Sequence, residues 1–151
     1  MSVEVTAFLA DSAEAVDGKL YVLGGGWDMV TVRQLPAVQA RVALGVLVHI
    51  GWNDTDTEHD IRLHLETEDG ALVPLARQAP GLEPGSVIGE MGHRFVAQRP
   101  PMLRPGDSQT HPITFTVNDL VLEHAGGYSW VVRIDDVVAK RLPMRVVLTQ
   151  G

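Results

Sequence analysis

The sequence predicts an all-β protein, an antiparallel β-sandwich of Ig-like or C2-like architecture with about nine or ten strands. The first observation behind this prediction is an alternation of apolar and polar residues that returns in segment after segment, most clearly in residues 113–117 and 128–135. Successive side chains of a strand point to opposite faces, so alternation indicates strands with one buried face. The second observation is a turn signal after about every 8 to 12 residues, and the third is the near absence of helical periodicity.

The individual strands follow from β-favouring residues, from alternation and from the turn residues between them. Val, Thr and Phe favour a strand at the start of the chain, and three consecutive glycines at residues 24–26 are typical of a hairpin or a bulged corner. Clean alternation favours a half-exposed strand at residues 61–65, and the turn at residues 68–70 leads into its return. In chain order, strand segments are predicted at residues 3–9, 19–23, 27–33, 40–52, 61–65, 71–75, 92–97, 113–117, 120–123, 128–134 and 142–148.

Two segments are predicted to be something other than a simple strand. Residues 11–16 fit a short helical turn, with Asp11 or Ser12 as its cap. Residues 76–112 hold six of the nine prolines, which restrict the backbone and interrupt pairing, so they are predicted to be a long connection. We expect this connection to form an ordered flap, with its one strand paired at a sheet edge, because its apolar residues allow it to pack. The whole chain, residues 1–151, is predicted to be one domain.

The segment at residues 40–52 is unusual because it is apolar on both faces. Ala43 and Leu47 share one parity, and His49 interrupts it. The other parity is entirely apolar and consists of Val42, Leu44, Val46, Val48, Ile50 and Trp52. Only one face of each sheet meets the core of a two-layer sandwich, so something else must cover the second face. This predicts a homo-oligomer, with a two-fold dimer as the expected form, unless the Pro-rich segment covers the strand within the same chain.

Composition and charge exclude several classes of protein. The chain has no cysteine, which excludes disulfides, thiolate zinc sites and a cysteine nucleophile and fits a reducing cytoplasm. The start MSVEVTAFLA lacks the basic and apolar regions of a signal peptide, and no apolar run approaches the roughly 20 residues of a membrane helix. The net charge of -7, with only two lysines and scattered arginines, disfavours a nucleic-acid partner. We therefore expect a cytoplasmic protein without membrane or nucleic-acid contacts.

Three stretches of the chain carry a resemblance to a known family. They are VEVTAFLADSAEAVDGKLYVLGGGWD, TEHDIRLHLETEDG and the closing GGYSWVVRIDD with LPMRVVL. Together they resemble an uncharacterised bacterial family of small all-β proteins, a domain of unknown function, over nearly the whole chain. The resemblance implies an all-β fold and a cytoplasmic bacterial setting. It implies no activity, ligand or catalytic residue.

The acidic turn after residue 53 is a candidate calcium site. Asp54, Asp56 and Glu58 place carboxylates at every second residue, and hard oxygen ligands in a flexible loop suit calcium. The rest of an EF-hand is missing, since the loop has no glycine at the sharp turn and Leu65 stands where the bidentate glutamate belongs. The alternative is a solvated polar turn that joins two strands.

The histidines predict no catalytic centre. Glu58, His59 and Asp60 are adjacent, but neighbours on a strand face opposite sides. The motifs G-x-S-x-G and H-E-x-x-H are absent, and the six histidines show no ligand spacing. His49 is interpreted as a partly buried, hydrogen-bonded histidine that lies at a contact surface. The glycines at 24–26 fit a tight corner better than an anion-binding nest.

The tryptophans leave two interpretations of function open beside the non-enzymatic one. Trp130 shares the inward parity of its strand and is predicted to be core, whereas Trp27 and Trp52 are candidates for ligand or partner contact, together with Leu47 and His49. The first interpretation is a non-enzymatic protein-interaction or self-assembly module without a cofactor. The alternatives are a β-sandwich that binds calcium or carbohydrate, and a small hydrolase with an unrecognised site.

Overall fold

The computed structural model describes residues 3–76 and 87–150 and shows an all-β fold of two facing sheets, which confirms the predicted fold class. The regular structure of these residues is ten strands and one short 3-10 helix, Trp52–Asp54. The strands are β1 (Val3–Val16), β2 (Lys19–Trp27), β3 (Met29–Val32), β4 (Ala37–Ile50), β5 (Glu58–Thr67), β6 (Leu72–Val73), β7 (Met91–Val96), β8 (Gln109–Leu122), β9 (Gly126–Ile134) and β10 (Val137–Leu148).

The first sheet has the order β2-β1-β4-β8, and all its neighbouring strands are antiparallel. At its centre Leu44 of β4 lies opposite Leu9 of β1 on one side and Phe115 of β8 on the other. All three side chains are buried and point into the space between the sheets. The two longest ladders of the sheet therefore meet on β4, which makes β4 its central strand.

The second sheet has the order β3-β10-β9-β5-β6, and β7 also pairs with β5. Its hairpin β9–β10 turns through Asp135 and Asp136, which both adopt the left-handed conformation with φ of 50° and 67°. Strand β3 runs parallel to β10, with Val30 opposite Val146. The sandwich is therefore not purely antiparallel, because the chain crosses from β2 in the first sheet to β3 in the second.

The core lies between the sheets, where alternate residues of the long strands meet. Five residues on the inner face of β4 have no exposed surface: Val42, Leu44, Val46, Val48 and Ile50. Trp130 of β9 is also fully buried, and its Nε1–H donates a hydrogen bond to Sδ of Met144 at 3.4 Å. Trp130 is therefore a core residue, as its parity predicts.

The predicted helical turn at residues 11–16 is wrong, because this segment continues β1. Glu14 lies opposite Tyr21, and Ser12 lies opposite Leu23 in the ladder with β2. A six-residue helix forms very few hydrogen bonds for the entropy it loses, whereas a ladder pairs the whole segment. The two predicted strands at residues 113–117 and 120–123 are likewise one strand, β8, in which Asp119 takes a left-handed conformation with φ of 54°.

The long connection contains the predicted strand, and that strand pairs at a sheet edge as expected. β7 pairs with β5, so that Phe95 lies opposite His59, and Phe95 is 8% exposed. The connection ends before Gln109 rather than at residue 112, because residues 109–112 already belong to β8. Residues 77–86, which carry part of the predicted flap, lie outside the described residues.

Replacement of Leu44 by Ala tests the central role of β4. We expect Leu44→Ala to lower the free energy of unfolding by about 2 to 5 kcal/mol, because it leaves a cavity at a site with no exposed surface. Val38→Ala on the same strand is the matched control, since Val38 is 61% exposed and its loss should cost less than about 0.5 kcal/mol. Chemical denaturation measures both, and equal costs would contradict the assignment of the core.

Candidate functional site

The most exposed element of the fold is the far half of the β1–β2 hairpin, residues 11–24, which we call the arm. It begins where β1 leaves β4, after the last paired residues Ala10 and Ala43. Tyr21 and Leu23 of the arm are 56% and 73% exposed, although both are large apolar side chains. They share one face of β2, because they are two residues apart on a strand.

Glycines at the root of the arm permit the bend that separates it from the sheet. The register shifts between Leu9 and Ala10, which pair with Trp27 and Gly25, so Gly26 is the extra residue of a β-bulge. Gly26 has φ of 92°, and Gly24 has φ of 62°, a conformation that other residues rarely adopt. The glycines therefore form a bulged corner within one strand.

The carboxylate of Asp11 fills the space beside Gly24, where any Cβ would collide with it. An anion-binding nest needs backbone N–H groups that face open space or cations. A carboxylate in that position opposes a second anion. The alternative of an anion site at the three glycines therefore has no support in this geometry.

The arm covers the second apolar face of β4. A Cβ on Gly45 would lie 2.6 Å from Cζ of Phe8 and 3.1 Å from Cδ2 of Leu20. Strand β2 is two strands away from β4, about 9 to 10 Å in a flat sheet, so Leu20 reaches Gly45 only because the arm bends over the outer face. Ala43 is fully buried within the single chain, and Leu47 is half-buried.

This arrangement corrects the expectation about what covers β4. A second chain is not needed to bury Ala43, which has no exposed surface within one chain, and Phe8 of β1 and Leu20 of β2 lie over the neighbouring Gly45. This contact could not be predicted from the sequence, since Leu20 and Gly45 are far apart in the chain and the contact depends on the bend at Gly26. The surface left without a cover is the opposite face of the arm, with Tyr21 and Leu23.

The outer edge of β2 is the second unpartnered feature of the arm. β2 is the end strand of the first sheet, and the ladders of the described residues place no strand on its far side. Exposed edges carry free N–H and C=O groups that pair readily with another strand. The arm therefore combines an open backbone edge with exposed apolar side chains.

A buried histidine joins two loops at one end of the sandwich. His59 is 5% exposed; its Nδ1 lies 2.7 Å from Oδ2 of Asp135, and its Nε2 lies 2.6 Å from the carbonyl oxygen of Asp54. Both ring nitrogens face acceptors, so both donate, which requires the imidazolium form. The other oxygen of the Asp135 carboxylate accepts the N–H of Asp60 at 2.9 Å.

The electrostatics of His59 favour the same protonation state. Burial lowers the pKa of His59, but the hydrogen bonds to Asp135 and Asp54 and the charges of these residues outweigh burial and raise the pKa above its ordinary value. No partner for the side chain of His59 could be identified from the sequence. Its partner Asp135 lies in the β9–β10 turn, and only the β5–β9 pairing brings them together.

The acidic turn does not gather its carboxylates into one site. Asp56 accepts the backbone N–H of Arg99 at 2.8 Å, whereas Glu58 pairs with Arg94 at 3.5 Å. Asp54 contributes its carbonyl oxygen to His59. Within residues 3–76 and 87–150, no three histidine or carboxylate side chains lie close enough together to hold a metal ion. Asp54, Asp56 and Glu58 therefore do not converge on one point in this structure, as a calcium site there would require.

The predicted contact residues are partly occupied by the protein itself. The guanidinium of Arg99 lies 3.6 Å from the ring centre of Trp52 and covers one face of it. Trp27 is half-buried against the core. His49 lies between Thr6 and Thr110, at 2.9 Å and 3.2 Å, so it is the hydrogen-bonded, half-buried histidine that the sequence predicts.

A cluster of paired charges on the outer face of the second sheet was missed by the sequence analysis. Arg62 of β5 lies directly opposite Arg133 of β9, and the two cations border a cavity of about 390 Å³. Asp60 binds Arg62 with both carboxylate oxygens, and the guanidinium holds the pKa of Asp60 below its usual range. Glu90 and Asp136 pair with Arg133, so the cations of this cluster are neutralised. The register that unites these residues is not visible in the sequence.

The fold and surface define a small all-β sandwich with an exposed hairpin arm. The chain belongs to a family of unknown function, DUF6941, whose model matches residues 5–147. This confirms the resemblance to an uncharacterised family and covers most of the chain. No curated protein matches the chain. The helical structure of the described residues is a single short turn, so they contain no helix that could cross a membrane.

Replacement of His59 tests the charged hydrogen-bond network. The pKa of His59 is raised above its ordinary 6.5, so its stabilisation is complete below about pH 6.5 and is lost as the pH rises through the folded-state pKa. We expect His59→Gln to lower the free energy of unfolding by about 1 to 3 kcal/mol at pH 6, and by less at pH 8. Denaturation at several pH values measures this. The exposed His124→Gln is the control, and an equal loss at both pH values would contradict a charged His59.

Replacement of Gly45 tests the contact between the arm and β4. Valine at this position collides with Phe8 and Leu20, so we expect Gly45→Val to release the arm and cost about 1 to 3 kcal/mol. Trypsin should then cleave faster after Lys19, which lies in the arm. Thr114→Val is the control, because it is nearly isosteric and lies opposite Gly45 on β8. Unchanged cleavage after Lys19 in Gly45→Val would show that the arm does not depend on this contact.

Proposed function

We propose that this protein is a non-enzymatic interaction module that self-associates through its arm. The observation that carries the proposal is the arm itself, where an open strand edge coincides with exposed Tyr21 and Leu23. Water-exposed apolar groups of this size on a two-stranded hairpin favour burial against another surface. An edge strand offers a partner main-chain hydrogen bonds in addition.

A second copy of the chain is the partner that the arm fits. The regular part of β2 is residues 19–23, before the glycines distort the edge. Two such edges can pair antiparallel about a two-fold axis at Tyr21. Lys19 then lies opposite Leu23 of the other copy, so the two lysines stay apart and the tyrosines meet on the axis. Closed two-fold association of this kind is the commonest form of homo-oligomer.

The state of His59 supports a non-enzymatic role. A histidine held by a carboxylate resembles the base of a hydrolase, but such a base needs its second nitrogen free for the nucleophile. Here the second nitrogen of His59 is bound to the carbonyl oxygen of Asp54. This arrangement supports a structural role for the pair and leaves His59 unable to act as the base of a hydrolase.

The ligand-binding alternative has less support than self-association. Arg99 already covers one face of Trp52, where a sugar would stack. Asp56 and Glu58 are directed to different arginines, where calcium would need them together. We further propose the bacterial cytoplasm as the setting, and the absence of cysteine together with the resemblance to a bacterial family supports this.

Substitution of the exposed apolar residues of the arm tests the proposed association. We expect the wild-type protein to form a concentration-dependent dimer, and Tyr21→Asp combined with Leu23→Asp to remain monomeric, because charged residues oppose burial of the arm. Analytical ultracentrifugation over a range of concentrations measures the association. Amide hydrogen exchange at residues 19–23 should slow as the wild-type protein is concentrated.

Met102→Asp is the matched control, because Met102 is 86% exposed but lies outside the arm. It should leave the dimer intact. A wild-type protein that stays monomeric at its highest accessible concentration would overturn the proposal. So would a dimer that the arm substitutions leave unchanged.

A further inference from the structure

Four aromatic rings join the edges of the two sheets, and we call them the ring clasp: His93 and Phe95 on β7, and His111 and Phe115 on β8. His111 stacks on Phe95 with ring centres 4.8 Å apart and an interplanar angle of 13°. His93 lies 5.8 Å from Phe115 and 6.4 Å from Phe95. The clasp therefore links an edge strand of the second sheet to the edge strand of the first.

β7 depends on the clasp because its other attachment is a single ladder. β7 pairs with β5 alone, through residues opposite Glu58 to Leu63. Phe95 anchors β7 in the core and is 8% exposed. Its ring stacks on His111, and its centre lies 5.6 Å from the ring centre of His59. An edge strand with one ladder and few buried side chains opens more readily than a central strand.

Among the described residues, no carboxylate acts on His111. His59, from β5, has Asp135 as its own counter-ion, and His93 of β7 is the charged group that acts on His111. The other charges of the adjoining strands lie elsewhere. Glu58 and Arg94 pair with each other in a register that alternation places on the opposite face of β5 and β7.

Among the described residues, no carboxylate of the neighbouring strands or turns compensates a positive charge on His111 either. His49 of β4 points to the outer face, where Thr6 and Thr110 bind it. Asp135 is engaged by His59 and by the backbone of Asp60. The ring of His111 has ring contacts but no hydrogen bond to the described residues. A proton on His111 would therefore add a half-buried positive charge without a counter-ion among the described residues.

We propose that the ring clasp is an acid-sensitive latch, closed while His111 is neutral and opened when His111 is protonated, so that β7 separates from the first sheet. The device is independent of self-association, since the clasp and the arm involve different strands. A neutral His111 ring stacks on the phenyl ring of Phe95, whereas the protonated ring is a half-buried cation without a hydrogen-bond acceptor among the described residues.

The sign of the pH dependence follows from the environment of His111. Burial lowers the pKa of His111 below its ordinary 6.5, and repulsion from His93 lowers it further. The closed clasp is thus at full strength above about pH 6.5 and weakens as the pH falls through the lowered folded-state pKa. His59 acts in the opposite direction, because its stabilisation is greatest at low pH. The two histidines can therefore be separated experimentally.

The test is amide hydrogen exchange of the full chain between pH 7.5 and pH 5, expressed as protection factors that correct for the intrinsic rate. We expect residues 91–96 to lose protection several-fold on acidification, while β9 keeps its protection. His111→Phe retains an aromatic ring and removes the titration, so it should abolish the loss. His124→Gln, at an exposed site, should behave like the wild-type protein.

A second measurement makes the result independent of any variant. The Cε1 proton of His111, followed by NMR in the wild-type protein, should titrate below the ordinary imidazole pKa of about 6.5. Titration of His111 at or above about pH 6.5 would overturn the proposal. It would also be overturned if β7 kept its protection at pH 5, or lost it equally in His111→Phe.

Discussion

The burial of β4 on both faces is the constraint on which the rest of this structure depends. Its inner face fills the core opposite the second sheet, and no residue from Val42 to Ile50 on that face has exposed surface. Its outer face must also be shielded, and a glycine at position 45 leaves room for Phe8 and Leu20 to lie flat on it. The bend at Gly26 lets the arm cover the outer face of β4, and it leaves Tyr21 and Leu23 on the exposed side of the arm.

Histidines close the other end of the sandwich in two physically different ways. His59 is charged and fully hydrogen-bonded, and it ties the turn at Asp135 to the loop at Asp54. His111 is held by ring stacking alone and has no acceptor among the described residues. Burial penalises a charge in both cases, but only His59 has carboxylate and carbonyl oxygens that compensate for it. The same residue type is therefore charged and hydrogen-bonded at position 59, whereas at position 111 burial favours the neutral ring.

Much of the fold could be predicted from the sequence, and little of the site. Alternation found the core residue Trp130, the strand around Phe95 and the half-buried His49, because side-chain parity is a local property of the chain. Residues 11–16 were predicted wrongly because their local pattern lacks the partner strand that holds them extended. The opposed arginines Arg62 and Arg133 and the pair of His59 with Asp135 could not be predicted, since each depends on the register between β5 and β9.

The sequence by itself determined the all-β class, the doubly apolar central strand and the edge strand within the Pro-rich connection, because these follow from parity and from turn residues a few positions apart. The tertiary structure alone decided what covers β4, which residues stay exposed on the arm and which histidines carry a charge. The physical reason is that the cover over β4 and the charge of a buried histidine both depend on contacts between segments that are distant in the chain. Leu20 meets Gly45, and His59 meets Asp135, only after two sheets have formed and packed.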